Sequence, residues 1–331
     1  MAVAVWFPRA RAVELRDEPV RDPGPHEVRV RAVLSGLSQG TERLVYRGEV
    51  DPSLPLDLPS LAGGYGFPVK YGYASAGRVV AAGREVESAR EGDLVFALHP
   101  HQDEYVVDAS LVHRIPDGVD AERAVFLANL DTAVNIVLDA KAHLGETVAV
   151  FGQGVVGLLV TQLLVRSGAR VIAVEPAPLR RSAATRSGAH TAIAPAEVAL
   201  IGALTEGRGA DIAIEASGNG AALQSAIDAV AIEGTVVVSS WYGEKSVALD
   251  LGGHFHRGRV RVVSSQVGRI DPSLAPRWDR ARRLTVATSL LRELDLPQLI
   301  SHRIPFPHAA EAYALLDERS DETVQVVLSY P

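Results

Sequence analysis

Apolar residues fall along the chain in two different rhythms. Up to about residue 120 they come in short runs cut by Gly and Pro, at Val28–Leu34, Gly77–Ala82, Asp93–Ala97 and Glu104–Val107. Runs of this length between turn residues predict an all-β, barrel-like region. Asp51–Gly66 has no periodicity and predicts a long loop, either structural or bordering a ligand. From Ala121 the rhythm changes. Ala121–Ala142 reads as helical, and then strand Thr147–Phe151, helix Val155–Ser167, strand Arg170–Val174, helix Leu179–Ser187 and strand Thr191–Ala194 alternate, followed by strands Ile212–Glu215, Thr235–Ser239 and Arg259–Ser265. Apolar strands alternating with amphipathic helices predict a doubly wound parallel sheet. The tail, with a helix at Arg280–Glu293, the segment Ile300–Ile304, a helix at Ala309–Leu316 and a final strand at Thr323–Leu328, can return to the first region. The expected fold is α/β in two domains, 1–122 with 266–331, and 123–265.

Composition agrees with such a chain. Of 331 residues, 47% are apolar and 22% charged, enough to bury a sizeable core and too apolar for disorder. Forty acidic against 33 basic side chains give a net charge of −7, and no Lys/Arg run is long enough to track a phosphate backbone, which disfavours nucleic acid as a partner. No apolar stretch approaches the roughly 20 residues that cross a bilayer, and the start, Met1–Trp6, lacks a signal pattern. No membrane partner and a cytoplasmic location are therefore expected. There is no cysteine, which excludes disulfides, thiol catalysis and thiolate-held metals.

The strand Thr147–Phe151 breaks into Gly152-Gln153-Gly154-Val155-Val156-Gly157 and resumes as a helix. These glycines have the spacing for a tight turn, a close backbone approach to pyrophosphate and close helix packing, and the helix start supplies free N–H groups for phosphate. The next strand ends at Glu175, where a carboxylate can accept hydrogen bonds from adenosine ribose hydroxyls. The pattern predicts a dinucleotide site; a merely structural turn is the alternative. Glu175 would repel a 2′-phosphate and so favours NAD(H), while Arg180 and Arg181 keep NADP(H) open. Gly218 either admits the cofactor or caps its strand, and Trp241 and Tyr242 either wall the pocket or pack in the core.

Together with Gly40-Thr41-Glu42, Gly72 within Val69–Ala74, Gly92–Val95 and Glu104–Val107, this pattern resembles the medium-chain dehydrogenase/reductase superfamily of the zinc alcohol dehydrogenase type, over nearly the whole chain. The resemblance implies a GroES-like β-barrel catalytic domain beside a Rossmann domain. It also implies hydride transfer with a small alcohol or carbonyl substrate, and a homodimer. A strand such as Arg259–Ser265 can pair across a twofold axis or be covered within one chain. The metal that the resemblance implies has lost its ligands. Where zinc members carry a cysteine before the Gly-Thr turn stands Gln39, their His-Glu pair is Tyr73-Ala74, their remaining ligand region falls near Ala128–Ala133, and the four-cysteine lobe is unrecognisable. His99 and His101, or His254 and His256, lack a clear third ligand, so no zinc is expected. Ser38–Arg43, Pro100-His101-Gln102, Ser264–Val267 and Arg277-Trp278 resemble, more narrowly, zinc-less relatives grouped with bacteriochlorophyllide dehydrogenases, whose substrates are large and planar.

Without a Lewis acid, hydrogen-bond donors must stabilise the reacting oxygen. Tyr73 is a candidate because it stands at a family ligand position; its alternative role is to fill the gap. Thr41 matches the family position that relays a proton, or stabilises its turn. Gln39 could orient the oxygen and Ser38 assist the relay, while Glu42 takes a proton through water or pairs with Arg43. His101 is the best titratable proton exchanger near these segments, unless it is an exposed loop residue. Lys70 and Asp131 are candidates by position alone. The expectation is a metal-independent, NAD-linked alcohol/carbonyl oxidoreductase. The alternatives are an NADPH-linked enone or quinone reductase and a noncatalytic dinucleotide-binding protein.

Overall fold

The computed structural model describes every residue except 57, 59 and 62. It divides into two compact units, Met1–Ala128 with Thr288–Pro331, and Asn129–Ala287.

The first unit opens with β1 (Ala2–Trp6) and β2 (Glu14–Glu18), an antiparallel ribbon. Its spine is β3 (Glu27–Leu37), whose alternation buries Val28, Val30, Ala32 and Leu34 and turns Arg29 and Arg31 out to Glu104. A short helix, α1 (Thr41–Arg47), comes next. Then follow β4 (Ser75–Ala82), β5 (Leu94–Ala97), β6 (Glu104–Asp108), β7 (Val112–Arg114) and α2 (Ala121–Ala124). Helix α3 (Leu127–Ala140) leads into the second unit, which contains β8 (Thr147–Phe151), α4 (Val155–Arg166), β9 (Arg170–Val174), α5 (Pro178–Arg186), β10 (Thr191–Ile193), α6 (Leu200–Leu204), β11 (Ala210–Glu215), α7 (Gly220–Ala229), β12 (Val230–Val238), α8 (His254–Arg257) and β13 (Arg261–Ser264). Helix α9 (Arg280–Glu293) brings the chain back for β14 (Ile300–Pro305), α10 (Ala309–Glu318) and β15 (Gln325–Ser329).

In the first unit, β4 lies along one edge of β3, and the other edge is shared by β6 over Glu27–Arg31 and β15 over Leu34–Leu37. Among the described residues the main path runs β14-β15-β3-β4-β5-β7 without joining its ends, and β14–β15 is parallel. The sheet is thus mixed, and these pairings by themselves do not close the barrel-like region into a barrel. Of the predicted loop Asp51–Gly66, residues 57, 59 and 62 lie outside the described residues; on either side of them Pro55 and Gly64 form an isolated antiparallel bridge.

The second sheet is all parallel in the order β10-β9-β8-β11-β12-β13. In chain order that is 3-2-1-4-5-6, the doubly wound arrangement whose direction reverses between β8 and β11. Every residue of β8 is buried, as a strand covered on both faces requires. Every residue of β13, at the edge, is exposed. No helix among the described residues is long and apolar enough to cross a membrane.

The sequence placed the return to the first region at residue 266, whereas the second unit runs to Ala287. The reason lies in Arg283 of α9, a buried guanidinium. Its Nε and Nη2 each donate to Asp131 at 2.7 Å, and its Nη1 donates to Asn135 Oδ1 at 2.6 Å. Asp131 is thereby committed to a structural pair. Arg283→Ala leaves its carboxylate largely buried without that partner, a loss of about 3 kcal/mol; chemical denaturation should show a lower midpoint for the second unit.

Candidate functional site

The glycine turn is built as its spacing predicts. Gly152 leaves β8 at φ +92°, and a Cβ there would sit 2.8 Å from the Ser217 backbone N. A Cβ on Gly157 would stand 2.0 Å from the Gly152 carbonyl oxygen, so α4 comes this near to its strand only because both positions lack side chains. Gly154 is the N-cap of α4 in extended conformation and offers no side-chain cap, and Val155 and Val156 begin the helix. The N–H groups of this first turn have no side-chain acceptor, and the bare backbone around them suits a pyrophosphate. Gln153 is held within the turn. Its side chain is fully buried, donating from Nε2 to Val150 O (3.1 Å) and accepting at Oε1 from Thr161 Oγ1 (3.1 Å).

Glu175 closes the turn from the neighbouring strand end. Its Oε2 accepts the Gln153 N–H at 2.7 Å and its Oε1 the Ala177 N–H at 3.0 Å, with Arg180 Nη1 at 3.9 Å. Arg181 Nη1 donates to the Glu175 and Pro176 carbonyls, at 2.8 and 2.6 Å. The carboxylate is 2% exposed, and its geometry fixes the glycine turn before any ligand is considered.

Sequence reasoning missed a second buried carboxylate on this sheet edge. Glu215 Oε1 accepts from the Ser217 N–H (2.6 Å), the Ser217 hydroxyl (2.6 Å) and the Gly218 N–H (2.9 Å), and Oε2 accepts from the Tyr242 hydroxyl (3.0 Å). Gly218 sits at φ +65° and also donates to Ser240 Oγ at 2.8 Å. Burial, with the Glu215 charge beside it, pushes the Tyr242 phenol well above its usual range. Tyr242 is a structural tie, and Trp241 beside it is exposed. Only the small-residue turn after the strand hinted at this arrangement in the sequence.

In the first unit a group of hydroxyls gathers at the start of α1. Tyr73 is partly buried, and its phenol is pushed up to about 12 by burial first and then by the nearby Glu42 charge, while hydrogen bonds with Ser38 and Thr41 pull it back. Ser38 and Thr41 thus lie within reach of the Tyr73 hydroxyl. Gln39 is drawn off, its Nε2 donating to Thr323 Oγ1 at 2.5 Å. Lys70 is committed to Glu18 (2.7 Å) and Gln102 Oε1 (2.5 Å). His101, one reading of which was an exposed loop residue, is fully buried and bonded on both ring nitrogens, to Ser35 Oγ (2.7 Å) and Glu42 (2.9 Å).

Zinc does not fit these residues. Gln39 and Tyr73 occupy the positions of the family's ligands, and Gln39 points an amide donor at Thr323. His99 stacks on Tyr105 with ring centroids 3.7 Å apart, and burial drives its imidazole down to about 3. His254 Nε2 is taken by the Val230 carbonyl at 2.8 Å. No group of three or more His, Cys, Asp or Glu among the described residues could hold a metal ion.

A unit with a doubly wound parallel sheet and a glycine turn at its switch point, in one chain with a β-rich unit completed by the end of the chain, defines the class of two-unit nicotinamide-dinucleotide dehydrogenases. The zinc-binding dehydrogenase family matches residues 155–284. (R,R)-Butanediol dehydrogenase of Bacillus subtilis is 31% identical over 260 residues, covering 69% of this chain and 74% of that protein. D-Guloside 3-dehydrogenase of Escherichia coli is 27% identical over 345 residues, 98% of each chain. The crystal structure of Bacillus subtilis 2R,3R-butanediol dehydrogenase superposes with a TM-score of 0.82 at 23% identity, over 99% of both chains. The chain belongs to the zinc-binding dehydrogenase family of the medium-chain dehydrogenase/reductase superfamily and is an NAD(P)-dependent dehydrogenase/reductase. None of these relatives is a bacteriochlorophyllide dehydrogenase.

Gly157→Ala tests the cradle directly. The added methyl meets the Gly152 carbonyl, so the variant should bind NADH at least about 10-fold more weakly and lose about 1–3 kcal/mol of stability, read by fluorescence titration and thermal unfolding.

Proposed function

We infer that this chain interconverts a secondary alcohol and its carbonyl with NAD(H), without a catalytic metal. The observation that carries this reading is that Tyr73 stands where the resemblance places a zinc ligand, with Ser38 and Thr41 near enough to lower its phenol against the rise from burial. Gly152, Gly154, Val155, Val156, Gly157 and Gly218 would cradle the dinucleotide through bare backbone, and Glu175 would take the ribose hydroxyls with lone pairs its two amide donors leave free. When bound, the nicotinamide accepts or supplies the hydride. Tyr73, held as a neutral phenol, donates to the reacting oxygen, which suits a group that stabilises developing negative charge. In oxidation the alcohol proton passes through the Ser38 and Thr41 hydroxyls, each able to donate and accept, to water at this half-exposed turn; in reduction the same path brings a proton back from water. The dehydrogenases of D-guloside and butanediol favour a small, oxygenated substrate over a planar ring system.

Tyr73→Phe should lower kcat about 100-fold or more in both directions, with dinucleotide affinity retained; a Phe variant of wild-type rate would sink the assignment. Exhaustive chelation should leave the wild-type rate unchanged, and a rate restored only by zinc would overturn the metal-free reading. Preference for NADPH, or hydride delivery to enones alone, would favour the reductase alternative.

The same reading includes a homodimer. β13 is an unpaired parallel edge with Val262 and Val263 exposed, and Ile232 of the adjacent β12 is exposed as well, the kind of edge that a second copy can cover. Sedimentation velocity should return a dimer at micromolar concentration; a monomer would remove this part of the proposal.

A further inference from the structure

Behind the hydroxyl group lies a buried polar cluster that the reaction described above does not use. Glu42 and His101 are both fully buried. Glu42 Oε2 accepts from the Tyr313 hydroxyl at 2.7 Å and from His101 Nε2 at 2.9 Å, and Oε1 accepts from the Ser38 N–H at 3.1 Å. On its far side, His101 Nδ1 meets Ser35 Oγ at 2.7 Å, and Ser35 Oγ meets the Tyr330 hydroxyl at 2.8 Å. The imidazole also lies against the residue before Tyr73. A Cβ on Gly72, which has φ +140°, would be 2.8 Å from His101 Cδ2 and 2.9 Å from Nε2. One side chain thus touches β3 through Ser35, α1 through Glu42, the Gly72–Tyr73 segment through its ring, and α10 through Glu42 and Tyr313.

We propose that the His101–Glu42 pair is a positioning cross-link that holds the Ser38–Thr41 turn against Tyr73, joining the two segments that an ion joins in the family's zinc members. The proposal rests on the reading of Tyr73, Ser38 and Thr41 as the reacting group. The physical basis is the cost of the carboxylate. A charge removed from water must be met by donors, and a missing one leaves a penalty that the surroundings relieve by moving. The nearest thing free to move is the turn that Glu42 holds through the Ser38 N–H. Having no exposed atom, His101 exchanges no proton with substrate or solvent directly, and its part is to keep the hydroxyls in register. Small misplacements of such groups are expensive in rate.

The experiment compares His101→Ala, His101→Gln, Tyr313→Phe and Tyr73→Phe by kcat, KM, pH profile and melting temperature. His101→Ala should lower kcat on the order of 100-fold with KM little changed. His101→Gln, whose amide N can stand where Nε2 stood, should recover most of that loss and keep the wild-type pH profile. Tyr313→Phe removes a single donor from Glu42 and should lower kcat by a smaller factor without a shift in profile. A folded His101→Ala of wild-type kcat overturns the proposal, as does a His101→Gln that loses a limb of the pH profile, since that limb would mark His101 as a proton exchanger. If His101→Ala fails to fold, Tyr313→Phe decides, and an unchanged kcat there overturns the proposal. Failure of the underlying reading shows separately, as a Tyr73→Phe enzyme of full activity.

Discussion

A carboxylate buried away from water must find donors for its lone pairs, and three glutamates impose that demand on this fold. Glu42 collects Ser38, His101 and Tyr313; Glu175 collects Gln153 and Ala177; Glu215 collects Ser217, Gly218 and Tyr242. In each case at least one donor is a backbone amide of a turn. Because an unmet buried charge costs several kcal/mol, each turn is fixed by the electrostatics of its glutamate as well as by its own chain geometry. The glycine turn, the turn around Gly218 and the turn before Thr41 are also the places where the cofactor and the reacting hydroxyls are assigned. Held turns of this kind are what preorganised donors require.

The second unit was legible in the sequence because its strands are covered on both faces and read as unbroken apolar runs, β8 most clearly. Its glycines were legible because two backbone approaches permit no side chain, and that constraint is local to Gly152–Gly157. Elements that declare themselves less locally were missed. Helix α1 is seven residues long and starts at Gly40 without a side-chain cap. Helix α7 is built largely from small residues and runs directly into β12, whose own course is broken at Glu233 and Gly234, with φ +62° at Glu233. β1 and β2 form a two-stranded ribbon, and β2 is charged at four of its five positions.

The site divides in the same way. Thr41 and Tyr73 were singled out because their positions match a family pattern, and Ser38 because it precedes the same turn; all three remain candidates for the reacting group. The partners of Glu42 were out of reach, since His101 lies 59 residues away and Tyr313 lies 271. Composition could suggest only that His101 titrates; its complete burial follows from the packing of Gly72 against its ring, which no run of letters displays. Gln39 shows the same limit. It was chosen for its place before the Gly-Thr turn, and the sequence could not show that its side chain donates to Thr323, from the far end of the chain.

In the proposed mechanism, replacing a divalent ion by hydroxyls would change what the site can do to an oxygen atom. An ion stabilises an alkoxide by charge and leaves the proton free to depart, whereas a phenol stabilises it only by keeping its own proton in a hydrogen bond. That arrangement works only while the phenol stays neutral. Burial and the Glu42 charge both act in that direction by raising Tyr73 to about 12. The same carboxylate that anchors the Ser38 amide therefore also protects the donor, so geometry and protonation at this site are coupled through one side chain. His101 tempers the arrangement. From a fully buried ring it donates to Glu42 and so helps satisfy the carboxylate.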